Sequence, residues 1–213
     1  MSTAGASAFR QAAAIRAAAR KGPWRRLLAA LGWSAVARRA DQEAARWELG
    51  GRAEMETARI LAPLEAQGWL VLHDRALPRS RANVDHVAVA PGGVGVVVLD
   101  TKRWHAGFPT GLVGGRLCCG TRPKDREAVA VVGYADRIAA LAGLPAGVVA
   151  PVLVIHGSPV VGGAFMVRAA GREVLVVGAE CLVPVLAGSV PARGGWGSVS
   201  LAGRLEELLP VYR

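Results

Sequence analysis

The sequence is short of acids, lysines, cysteines and long apolar runs. Sixteen acidic residues face 26 basic ones, a net charge of +10. That balance favours anionic partners, either nucleic acid or an acidic membrane surface. Only Lys21, Lys102 and Lys124 are lysine, so the charge is nearly all arginine, a bias a GC-rich genome also produces. Three cysteines are present, Cys118, Cys119 and Cys181. None has the C-x-x-C spacing of a zinc site, and adjacent cysteines rarely bridge. An odd count without a secretory leader suggests a reducing, cytoplasmic setting. The longest apolar run, 148–155 with its neighbours, falls short of the ~20 residues a spanning helix needs. No membrane span is expected. What remains is a chain of 213 residues, 52% hydrophobic and 20% charged. It has enough apolar material for one sizeable core with extensions, and too much for a disordered chain.

Residues 1–46 differ from the rest. They are Ala-rich and hold nine basic residues against Asp41 and Glu43, which is +7 of the +10. Helix propensity is high, the apolar stripe is weak, and Gly22-Pro23 interrupts it. One or two loosely held helices are expected, serving as a nucleic-acid or membrane-surface arm or as a solvated spacer. A domain over 47–213 follows. Residues 53–68 have helical spacing and stop at Gly68. A strand over 69–77, a polar turn and an apolar hairpin come next. A small outer hairpin, a helix over 125–144, two strands ("APVLVIHG", "REVLVVGA"), a short helix and a Ser-capped closing helix complete the order. The oligomeric state is not readable. The pattern predicts an α/β or α+β domain with a mixed sheet covered by helices.

The hairpin "ANVDHVAVAPGGVGVVVLDTKRW" carries Asp85, Asp100 and Lys102 in an otherwise apolar run. Strands alternate faces, so Asp100 and Lys102 point the same way. A two-residue Gly92-Gly93 turn makes paired positions sum to 185 and sets Asp85 directly opposite Asp100. Opposed residues share a face, with Cβ atoms ~5 Å apart. A one-residue slip would send Asp85 to the other face. Two carboxylates so close repel unless a cation joins them. Mg²⁺ takes one or two carboxylates and keeps several waters, and Lys102 could hold a water or contact a phosphate. That set suits metal-assisted phosphodiester hydrolysis. A structural ion pair, or charges exposed at strand ends, is the other reading. Glu54, on the inward side of the preceding helix, could reach the cluster. Glu56 is turned away and expected in solvent. His86 alternates away from Asp85 and reads as a packed histidine, and His73 and Asp74 read as structural. Arg79, Arg81 and Arg103 could contact phosphates. Trp104 could stack on a base or pack against the outer hairpin.

These residues, in this order, resemble the nuclease-related domain (NERD) family of PD-(D/E)xK, restriction-endonuclease-like nucleases. The resemblance is carried by Glu54 opening its helix, Asp85-His86, Pro91-Gly92-Gly93 and Asp100-Thr101-Lys102, and runs from about Trp47 to Gly107. Ala53 stands where the family often has Gly. No Gln-x-x-x-Tyr is found, since Ala130 lies four before Tyr134. The resemblance implies an αβββαβ core and a nuclease acting on nucleic acid, DNA in particular. It implies Mg²⁺ or Mn²⁺ held by Asp85, Asp100 and the Thr101 carbonyl, Lys102 orienting the attacking water, and Glu54 supporting the metal or Lys102. A nucleic-acid-binding or interaction module that keeps the fold without catalysis is the alternative.

Overall fold

The computed structural model describes residues 3–80, 82–189 and 198–212, with residues 198–200 as backbone only. Its centre is a six-stranded mixed sheet, ordered β1-β2-β3-β7-β9-β8. The strands are β1 (Leu70–Ala76), β2 (Asn83–Val89), β3 (Val96–Arg103), β7 (Val149–His156), β8 (Ala164–Ala169) and β9 (Arg172–Gly178). The β3–β7 and β7–β9 pairs are parallel and the others antiparallel. The apolar runs of β3 and β7 are long because both strands are covered on both faces. A second, three-stranded sheet holds β4 (Thr110–Val113), β5 (Arg116–Cys119) and β6 (Arg122–Pro123). It contains the expected outer hairpin. Cys118, Cys119 and Cys181 are free thiols.

Helices cover the sheet. On one face Leu61 and Leu64 of α3 (Ala35–Glu65) and Leu182 and Leu186 of α5 (Leu182–Gly188) pack with Val97, Leu99, Val152 and Val154. On the other, Val131 and Ile138 of α4 (Asp125–Ala142) and Leu205 of α6 (Ser198–Leu208) pack with Val96, Val98, Leu153 and Ile155. The α/β architecture read from the sequence is therefore present. The serine cap expected near Ser198 or Ser200 lies outside the described side chains. Strand β8 escapes the sequence reading. It is an edge strand whose Met166 is exposed, so its apolar residues do not alternate cleanly.

The turn between β2 and β3 differs in form from the expected one but keeps its centre. Ala90 pairs with Gly95, its N–H donating to the Gly95 carbonyl at 3.0 Å. Pro91–Val94 make a four-residue loop, with Gly92 and Gly93 at φ 75° and 68°. Only glycine enters that region cheaply. Val89 faces Val96, Val87 faces Val98 and His86 faces Leu99. The register is the one that sets Asp85 against Asp100.

Within this arm, α1 (Ala6–Ala19) and the first turns of α3 are held to the fold. Helix α1 lies antiparallel on α3, burying Ala8, Ala12 and Ala19. α2 (Pro23–Ala30) follows, and the Ser34 hydroxyl starts α3 by accepting from Ala37 N–H at 3.1 Å. Such a cap satisfies a donor that the first helical turn leaves open. α3 then runs 31 residues, unbroken through 46–47, where the sequence suggested that arm gives way to domain. Arg16 pairs with Glu48, and Arg20 with Asp41 at 2.7 Å, so two of the arm's cations are spent internally. The seam is close because its residues are small. A Cβ on Gly51 would lie 3.1 Å from the Ala8 methyl and from the Phe9 ring. Gly51→Leu should therefore cost about 1–3 kcal/mol through overpacking. The expected result is a lower thermal midpoint and earlier proteolysis within α1.

Candidate active site

The site forms where β2 begins and β3 ends. Asp100 and Lys102 continue the face of Val96 and Val98, towards α4. Asp85 stands across from them. The β2–β3 ladder stops at His86–Leu99. Beyond that point the Thr101 N–H donates to Asp85 Oδ2 at 2.7 Å. N–H and C=O of a paired strand residue point to one edge, so the Thr101 carbonyl also faces Asp85. Lys102 Nζ lies 2.6 Å from Asp100 Oδ2, an ion pair outside hydrogen-bonding angles. Glu54 reaches the same place from α3. Its Oε2 is buried with no hydrogen-bond partner among the described residues.

All four groups line one cavity of about 750 Å³. Its walls also include residues the sequence reading did not single out. Ser7 and Gln11 come from α1, Arg46 and Trp47 from α3, Tyr134 from α4 and Tyr212 from the chain end. The arm is thus part of the site wall. Asp74 explains how. Its buried carboxylate accepts from the Ser7 N–H at 2.9 Å and from Asn83 Nδ2 at 3.0 Å, capping α1 beside the cavity. The expected structural role for Asp74 holds. Tyr134 is an exception to the sequence reading, which gave α4 no part in the site.

The electrostatics follow from burial and crowding. Burial, then repulsion by Asp85 and Asp74, pushes the Glu54 carboxyl up to about 9. Burial, then Asp100, pushes Asp85 up to about 7. Burial raises Asp100 as well, against the pull of Lys102. Burial opposes the charge on Lys102, but Asp100 and Asp85 outweigh it and hold the ammonium above its usual range. Three carboxylates with one ammonium is a site short of positive charge. The donors fit a small hard cation: two facing carboxylates, a backbone carbonyl and an unpartnered carboxylate oxygen. Among the described residues no three His, Cys, Asp or Glu side chains are set to hold an ion by themselves. Mg²⁺ does not require that, since it binds through one or two carboxylates and keeps its waters.

Behind the strand a polar chain fixes its backbone. Thr101 Oγ1 donates to Thr57 Oγ1 at 3.1 Å, and Thr57 Oγ1 lies 2.7 Å from His156 Nε2. His156 Nδ1 is 3.3 Å from Glu56 Oε2, and Arg103 Nη1 is 3.5 Å from that same oxygen. Glu56, expected in solvent, is half-exposed yet tied at this point, because α3 crosses the ends of β3 and β7 there. The sequence signal was Thr57, a polar residue one turn after Glu54 on the buried side. Arg103 lines the cavity. Arg79 is exposed in the turn after β1 and is absent from the cavity wall, and Arg81 lies outside the described residues. Trp104 packs against the α4-side core, with Lys124 Nζ 5.0 Å over its ring. His86 is buried, its Nδ1 2.8 Å from His73 Nδ1, as a packed histidine should be.

The profile of the nuclease-related domain, NERD, matches residues 49–155, half of the 213-residue chain. This chain belongs to the NERD family. The matched segment opens in α3 before Glu54 and closes in β7, so it spans Glu54, Asp85, Asp100 and Lys102. No curated protein and no solved structure matches the chain. The cavity wall contributed by Ser7, Gln11, Arg46 and Trp47 lies outside the NERD match. Among the described residues no helix is long and apolar enough to cross a membrane.

Proposed function

We propose that this NERD domain hydrolyses phosphodiester bonds of nucleic acid, DNA first, with Mg²⁺ or Mn²⁺. What carries the reading is the convergence of Glu54, Asp85, Asp100 and Lys102 on one cavity where β3 ends. Asp85, Asp100 and the Thr101 carbonyl would hold the cation. When bound, it neutralises charge on the scissile phosphate and helps to generate the nucleophile. Lys102, a fixed ammonium, donates to the attacking water or to a non-bridging phosphate oxygen. Glu54 holds its own proton in the metal-free site; beside the cation's charge it would give that proton up, leaving the carboxylate to accept the one that the water loses. Arg103 and Arg46 line the same cavity and offer phosphate contacts, and Trp47 offers a ring for a base. Arg79 would act only on nucleic acid that extends beyond the cavity.

Purified protein incubated with single-stranded, double-stranded and branched DNA, and with RNA, over a series of divalent cations, tests the reading. Cleavage in Mg²⁺ or Mn²⁺ that EDTA stops and added cation restores is expected. Salt-sensitive binding without cleavage in any cation would instead make the domain a nucleic-acid-binding module.

A further inference from the structure

Helix α2 is a surface element whose apolar face the fold leaves uncovered. Trp24, Leu27, Leu28 and Leu31 fall at i, i+3, i+4 and i+7, the spacing of one helix face. In a soluble core such a face would be buried. Here α2 buries none of its residues. Trp24 is 75% exposed, Leu27 and Leu31 are each 50% exposed, and Trp33, just beyond the helix, is 74% exposed. Val36, at the start of α3, is exposed as well.

The charge around this face has one sign. Lys21, Arg25, Arg26, Arg38 and Arg39 lie within residues 21–40, and no acid does. At 100° per residue, Arg25 flanks the apolar face beside Leu28 and Arg26 falls on the opposite side of α2. Arg38 Nη1 donates to the Gly32 carbonyl and pins the turn between α2 and α3. The result is a short helix with tryptophan and leucine on one face and arginine at its edge and behind it, at the tip of the α1–α3 pair. Ser34 lies roughly 30 Å along α3 from Glu54 at 1.5 Å per residue, so the tip is remote from the cavity.

We propose that α2 and Trp33 form an interfacial anchor that docks the protein on an anionic lipid surface. An amphipathic helix of this composition lies in the membrane plane, its apolar face about 5–10 Å into the headgroup boundary. Tryptophan favours that depth. A second copy of the chain would bury the leucines but offers no acid within residues 21–40 to meet the arginines, whereas anionic headgroups meet both. Nucleic acid would use the arginines and the rings but gives Leu27, Leu28 and Leu31 no partner. The anchor does not depend on the nuclease reading.

The full chain, sedimented with vesicles of phosphatidylcholine alone or mixed with phosphatidylglycerol, tests it. Binding to the mixed vesicles, with a blue shift of tryptophan emission, is expected, and little binding to phosphatidylcholine. Leu27→Glu with Leu31→Glu should abolish it. Arg25→Ala with Arg26→Ala should weaken it about fivefold per arginine, at low salt. Neither pair should move the thermal melt, since α2 buries none of its residues. If the leucine variant fails to fold, Trp24→Ser with Trp33→Ser gives the same readout. Absent binding to anionic vesicles, or binding unchanged in these variants, would overturn the anchor. So would a solution dimer, or duplex DNA binding, that the leucine variant loses while vesicle binding persists.

Discussion

Lys102→Met should reduce phosphodiester hydrolysis by about 10²–10³-fold while leaving nucleic-acid binding within a fewfold of wild type. The size is that of removing one preorganised charge from a developing oxyanion. The direction follows from the protonation state. Asp100 and Asp85 hold the Lys102 ammonium above its ordinary range, against the effect of burial. At neutral pH Lys102 is therefore always charged. It can donate to water or phosphate but cannot take a proton, so the base must be a carboxylate. Lys102→Arg keeps the charge but replaces a compact ammonium with a planar fork, and should recover little of the rate. Asp100→Asn removes a proposed cation ligand and the partner of Lys102 together, and should cost at least as much as Lys102→Met. Single-turnover rates at saturating enzyme, beside a separate binding isotherm, make the distinction. A Lys102→Met protein retaining more than a tenth of wild-type turnover would remove Lys102 from the chemistry.

The part of this site legible in the sequence was the part governed by short-range rules. Pro91-Gly92-Gly93 fixes the centre of the hairpin, and the centre fixes which residues oppose each other. The loop has four residues rather than two, yet Asp85 still meets Asp100, because lengthening a turn symmetrically leaves the register unchanged. The second half of α3, with its stop at Gly68, and α4 were legible from period. Long-range packing was not. α1 carries its contact on alanines, which differ little in hydropathy from their surroundings, so a helix fitted closely against Gly51 resembles a loose arm. The same blindness hid Ser7, Gln11 and Arg46 from the site, and it hid Asp74 as the group that ties α1 down. Tyr134 was missed because a single tyrosine in an apolar helix gives no sign of which cavity it faces. Glu56 is exposed, as expected, but its contacts were not legible. A helical wheel separates it from Glu54, but the wheel does not contain His156 and Arg103, which come from strands on the other side.

Glu54→Gln should stabilise the metal-free protein while removing its activity. The Glu54 carboxyl is pushed up to about 9, first by burial and then by Asp85 and Asp74. In the unfolded chain it returns to about 4.3. A group with a raised folded value keeps its proton more tightly in the native state. Its contribution to stability is fully present below the unfolded value and is lost as pH rises through the folded one. Metal-free wild type should therefore lose stability steadily between about pH 5 and pH 9. Glutamine keeps the volume and cannot ionise, so the variant should escape that loss. At pH 8 the gain should be about 1–3 kcal/mol, a few degrees or more in thermal midpoint for a chain of this size. The decisive measurement is a pair of melting curves in EDTA at pH 6 and pH 8. The difference between variant and wild type must widen at the higher pH, whereas parallel curves would show that Glu54 is ionised and solvated. The same substitution should lower the cleavage rate by about 10²–10⁴-fold, the usual worth of a positioned proton acceptor. A residue whose loss raises stability and lowers activity is one held against its preference. The buried, unpartnered Oε2 of Glu54 is the physical form of that cost.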